Sequence, residues 1–82
     1  MTGDAPSFVV NGDEVALDRA FKTMRGAVLR ALKLSRNDSR PIDAWELRTK
    51  GGEHVDMSRR ITPADAGTIL FLTLGVGAGG AR

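Results

Sequence analysis

The dipeptide Asn11-Gly12 constrains this chain more than any other pair of residues in it. Both residue types tolerate positive φ, which a two-residue type I′ hairpin turn requires at both central positions. The runs on either side are strand formers: Ser7-Phe8-Val9-Val10 before the turn and Glu14-Val15-Ala16-Leu17 after it. With Asn11-Gly12 as the loop, Val10 pairs with Asp13 and Phe8 pairs with Val15. Cross-strand partners share a face, so Phe8, Val10, Val15 and Leu17 gather on one side. Turn chemistry and apolar pattern agree on the same register.

The period then changes. Phe21, Met24, Val28 and Leu32 recur at three- and four-residue steps, which predicts an amphipathic helix. Asp18 and Thr23 are both candidate N-caps. Gly26 costs about 1 kcal/mol relative to alanine inside a helix, and it would allow a close approach to a sheet. Arg36-Asn37-Asp38-Ser39-Arg40-Pro41 is turn-rich, so the helix should end near Ser35. Ile42 to Lys50 reads as a third extended segment, with Trp45 and Leu47 alternating against Glu46 and Arg48. Gly51-Gly52 signals a second tight turn, and Glu53-His54-Val55 a short edge strand. Thr62-Pro63-Ala64-Asp65 reads as one helical turn, with Thr62 as cap, Pro63 at the first helical position and Gly67 ending it. Thr68 to Leu74 is the most hydrophobic strand and is expected at the centre of the sheet. The expected organisation is a loose arm at 1–5, one α+β domain at 6–74, and a flexible glycine-rich tail at 75–82.

Chemistry is sparse. The chain of 82 residues has no cysteine, so disulfides, thiolate metal sites and a cysteine nucleophile are excluded. It has one histidine, His54, beside a turn and without a carboxylate cluster, which gives no metal site. The serines lack a nucleophile setting, and no helix follows the glycines to cradle a phosphate. No catalytic residue, no metal and no cofactor of its own is therefore expected, and the chain is not expected to be an enzyme. Net charge is +2, but Arg19 to Arg40 holds seven bases and one acid. Lys22, Arg30 and Lys33 lie on the helix flank away from the apolar stripe and form a candidate basic docking face. The stretch carries no series of aromatics, which argues against single-stranded nucleic acid. The apolar run Ile69 to Leu72 is far short of a membrane span, and Met1-Thr2-Gly3-Asp4 lacks a signal-peptide pattern, so the expected location is the cytoplasm.

Of ten glycines, four fall at Gly75, Gly77, Gly79 and Gly80. Such a tail can be a linker. Alternatively, Gly79-Gly80 can thread a narrow enzyme channel and present a carboxylate, because any Cβ there would meet the walls. The order of elements favours the second reading. The hairpin Phe8-Val9-Val10 and Val15-Ala16-Leu17, the strand and turn Trp45 to Gly52, and Thr68 to Leu74 followed by Gly79-Gly80 together resemble the ubiquitin-like β-grasp family. The resemblance covers Ser7 to Gly80. It implies a mixed sheet of four to five strands on one helix, in the order ββαββ. It is closest to the bacterial ubiquitin-like modifiers encoded beside their own conjugation enzymes in antiphage-defence operons.

The resemblance also implies partners and roles. A processing peptidase would cut Gly80-Ala81. An activating enzyme would use ATP to adenylate the carboxylate of Gly80, and a conjugating enzyme would carry the acyl group to an amine of a target protein. Ile69 and Phe71 are the outward apolar residues of the last strand and form a candidate partner-binding patch. Three features depart from ubiquitin: the hairpin tip Asn11-Gly12-Asp13 is polar, the outward positions of the third strand are Glu46 and Arg48, and Val76-Gly77-Ala78 lacks arginine. Two alternatives remain open. One is a sulfur carrier with a Gly-Gly thiocarboxylate, and the other is a noncovalent module whose basic helix docks an acidic partner.

Overall fold

The computed structural model describes residues 6–75. β1 is Ser7–Val10 and β2 is Asp13–Val15. They pair antiparallel, with Phe8 opposite Val15 and Val10 opposite Asp13, the register that the turn dictates. Asn11 (φ 52°) and Gly12 (φ 86°) both adopt the left-handed backbone of a type I′ turn. The ladder stops at Val15, yet Leu17 is still buried beside Phe8 and Val10.

The helix, α1, runs Met24–Leu34. Thr23 is the cap: its backbone is extended, and its Oγ1 accepts from the Gly26 N–H at 3.2 Å. Asp18, the other candidate, instead binds Arg30 on the helix. Met24, Ala27, Val28, Ala31 and Leu32 form the buried stripe. At the far end, the Arg36 N–H donates to Lys33 O at 3.1 Å and the Asn37 N–H to Leu32 O at 2.7 Å. That pair of bonds is a Schellman cap, and Arg36 occupies its left-handed position at φ 62°. The sequence hides this cap, because the position is not glycine.

β3 is Trp45–Arg48 and β4 is Ile69–Leu74. The described residues form one four-stranded sheet in the order β2-β1-β4-β3. β4 lies parallel to β1, with Val9 beside Phe71, and antiparallel to β3, with Leu47 opposite Leu72. The sheet is therefore mixed, and the most hydrophobic strand is central. Phe8, Val10, Leu47, Leu70, Leu72 and Trp45 on the sheet join the helix stripe in one core. This is an α+β fold with one helix on one face of the sheet.

Four expectations change. Ile42–Ala44 is a short helical turn rather than the start of a strand. Pro41 sets its entry, and the Ala44 N–H donates back to Pro41 O at 3.0 Å. Glu53 to Val55 is not a strand; it touches β3 through one isolated bridge between Arg48 and His54. The Gly51-Gly52 turn itself does form, with the Gly52 N–H on Thr49 O at 2.9 Å. Gly26 does not approach the sheet, since a Cβ there would meet Phe21 and Thr23 at 3.4 Å on the outer side of the helix. Finally, Gly75 belongs to the domain rather than to a tail: it is buried, and its N–H donates to Ala44 O at 2.8 Å. The expected arm at 1–5 and the rest of the expected tail, 76–82, lie outside the described residues.

Candidate functional surfaces

Strand parity builds the first surface. Phe8, Val10, Leu70, Leu72, Trp45 and Leu47 point to the helix, so Val9, Ile69, Phe71, Glu46 and Arg48 point away from it. Val9, Phe71 and Arg48 stand side by side across three strands. Phe71 is half-buried and Ile69 is 41% exposed. The two do not share one cavity. Phe71 lines a cleft of about 330 Å³ with Val9, Gly12 and Leu74, at the end of β4 from which the chain passes to Gly75. Leu74 is 42% exposed there, because it lies on the helix side of the strand but at its very end. Ile69 lines a separate cleft of about 420 Å³ at the other end of β4, with Thr49, Lys50, Val55 and Leu70.

Polar contacts frame both clefts. Arg48 donates to Glu46 Oε1 through Nε at 3.2 Å and Nη2 at 2.9 Å, and to Gly52 O through Nη1 at 2.9 Å. This holds Arg48 along the edge rather than over Phe71. A Cβ on Gly75 would lie 3.0 Å from Glu46 Oε2, so a glycine lets the chain leave β4 close against this carboxylate. Beside Ile69, Asp65 is the sole buried charged residue among those described. It accepts from Arg59 Nη2 at 2.8 Å and Nη1 at 3.1 Å, and from the Thr62 N–H at 2.7 Å. The Arg59 guanidinium holds its carboxyl below the usual carboxylate value, and the Thr62 N–H helps, although burial opposes them. A signal for this network is present in the sequence: Thr62 and Asp65 have capping-box spacing. Arg59 has no such signal.

The second surface is the outer side of α1. Of the expected basic face, Lys22 and Lys33 are exposed, but Lys22 precedes α1 and lines a different cleft, and Arg30 is committed. Its Nε reaches Asp18 Oδ1 at 3.2 Å and its Nη2 reaches Oδ2, and this contact lowers the pKa of Asp18. The face is thus less uniformly basic than its sequence implies. Apolar groups lie among the bases, and Phe21, expected on the helical stripe, instead precedes α1 and is only half-buried. Leu29 is 48% exposed, and the Arg19 guanidinium lies 5.4 Å from the centre of the Phe21 ring.

Gly79, Gly80 and Ala81, the expected conjugation and cleavage residues, lie outside the described residues. His54 is exposed. Among the described residues, no group of three or more His, Asp or Glu side chains gathers where it could hold a metal ion. No described helix is long and apolar enough to cross a membrane. Comparison with the curated proteins finds no match. A family described as a protein of unknown function, DUF2604, matches residues 6–80, and the chain belongs to it.

Proposed function

We propose that this member of the DUF2604 family is a ubiquitin-like modifier with a β-grasp fold, cut after Gly80 and attached to target proteins through the Gly80 carboxylate. The observation that carries the reading is the course of β4. It is the central strand, parallel to β1 and antiparallel to β3, and it leads through the buried Gly75 toward Gly79-Gly80. One helix covers one face of this mixed sheet, an arrangement compatible with a β-grasp. Gly75 is fixed to Ala44 at 2.8 Å, so any reach into a partner's channel starts there. From Gly75 to Gly80 the chain can span at most roughly 17 Å.

In this reading hydrolysis of the Gly80-Ala81 peptide frees the carboxylate. ATP in an activating enzyme converts it to an acyl adenylate with release of pyrophosphate. A partner thiol displaces AMP to form a thioester, and an amine of the target displaces the thiol to form an amide. The thiols belong to partners, because this chain has no cysteine. The cytoplasm, where ATP is available, is the compartment that fits. The apolar cleft at Val9, Phe71 and Leu74 borders the exit from β4 and is the surface that an activating enzyme would grip.

The test is intact mass after incubation with an extract of the source organism and ATP. The expected products are a chain lacking Ala81-Arg82 and adducts of that chain on other proteins, with Gly80→Ala giving no adducts. A product in which sulfur replaces one terminal oxygen assigns the sulfur-carrier alternative instead. An unchanged mass with no adducts refutes the modifier reading.

A further inference from the structure

The outer face of α1 carries a shallow cleft of mixed polarity, in which Phe21 and Leu29 stand among three cations, and nothing in the modifier chemistry uses it. The cleft is about 220 Å³ and is lined by Arg19, Phe21, Gly26, Leu29, Arg30 and Lys33. Gly26 lies at its floor: a Cβ there would come within 3.4 Å of Phe21 Cδ2, so a larger residue would fill the space beside the ring. Leu29 is exposed at its side. The helix itself, Met24–Leu34, has Arg25, Arg30 and Lys33 and no acid, so its positive N-terminal end has no carboxylate in the first turn to balance it. A solvated helix usually mixes both signs.

We infer that this cleft docks an acidic segment of a partner protein that inserts one large apolar side chain between Phe21 and Leu29 while its carboxylates face Arg19 and Lys33. Charge complementarity chooses the class of partner. Arg19, Arg30 and Lys33 rim the cleft and none of its lining residues is acidic; Arg30 is already held by Asp18, which leaves Arg19 and Lys33 to a ligand. Nucleic acid fits the surface worse. A phosphate backbone would leave Leu29 without an apolar partner. Arg19 already lies over one face of the Phe21 ring, where it competes with a stacking base. A peptide carrying both carboxylates and an apolar anchor satisfies the rim and the cleft together. The inference does not depend on the fate of Gly80.

The experiment uses the full-length, isotope-labelled chain and three probes. The first is a synthetic acidic helical peptide with a leucine flanked by glutamates one turn to either side. The second is the same peptide with that leucine replaced by alanine, and the third is an oligothymidine. The leucine peptide is expected to shift the amide signals of Arg19, Phe21, Leu29 and Lys33, and to bind less tightly as salt rises. The alanine peptide is expected to bind at least about tenfold more weakly. Leu29→Ser and Lys33→Glu should each weaken the leucine peptide by about tenfold or more while the fluorescence of Trp45 stays native. Both positions are exposed, so both variants keep the core. The inference is overturned by absence of binding, equal affinity for the two peptides, or shifts confined to Val9 and Phe71. Tighter binding of the oligothymidine, or dimerisation of the chain through this face, overturns it equally.

Discussion

Asp65→Ala should be among the most damaging single substitutions outside the apolar core. The Asp65 side chain is 11% exposed and accepts from four groups: two guanidinium N–H groups of Arg59, the backbone N–H of Thr62 and, at 3.5 Å, the Thr62 hydroxyl. Losing the bond to Thr62 uncaps the turn Pro63–Asp65, a loss typically worth about 1 kcal/mol. Hydrogen bonds to charged groups contribute about 1.5–3 kcal/mol each way. The low end applies to Arg59, because its side chain is 38% exposed and regains water when the partner goes. The sum is about 2–3 kcal/mol, or roughly 10–20 °C in melting temperature for a domain of this size. Asp65→Asn keeps an acceptor for Thr62 and should cost only about 1 kcal/mol.

Urea unfolding followed by Trp45 fluorescence reads these differences cleanly, since Trp45 is the only tryptophan and is 5% exposed. The sign with pH follows from the pairing. The folded carboxyl titrates below the unfolded one, so its stabilisation is complete above the unfolded pKa of about 3.9 and is lost as pH falls through the folded pKa. The gap between the native chain and Asp65→Ala should be constant near neutrality and shrink below about pH 4. A gap under about 0.5 kcal/mol at neutral pH, or one that does not shrink in acid, refutes the reasoning.

Four further substitutions separate the local rules. Arg36→Gly should stabilise by about 0.5–1 kcal/mol in urea unfolding, because glycine relieves the left-handed position of the Schellman cap. Leu72→Ala should cost about 2–5 kcal/mol, whereas Phe71→Ser, one residue away on the outward side, should cost far less and leave Trp45 fluorescence native. Gly26→Ala should raise stability by about 0.5 kcal/mol while weakening the acidic peptide, because its methyl group enters the cleft beside Phe21.

The local rules in the sequence were sufficient for the first hairpin, the stripe of α1 and the facing of β3, but not for Ile42–Ala44 or for Glu53 to Val55. Asn11-Gly12 specifies both turn angles and the register of β1 on β2, since a type I′ turn leaves no freedom in either. The spacing of Met24, Val28 and Leu32 specifies the buried stripe of α1. The alternation of Trp45 and Leu47 with Glu46 and Arg48 specifies which side of β3 is wet. Each of these depends on residues no more than a few positions apart. The resemblance that supports the modifier reading likewise rests on element order and on Gly79-Gly80, which the sequence displays directly.

Tertiary structure decided whatever depends on distant residues meeting. Asp18 caps nothing because Arg30, twelve residues on, claims its carboxylate. Glu53 to Val55 remains off the ladder because β3 pairs with it at one bridge only. Ile69 and Phe71 share the outward side of β4, as parity requires, and only the fold places each beside a different cleft. The cleft on α1 exists because the Phe21 ring lies against Gly26 beneath the Arg19 guanidinium, a meeting that no period in the sequence encodes. Local geometry repeats along a chain and can be read from spacing. The partner a side chain finds across the fold is set by packing, and packing is a property of the whole core.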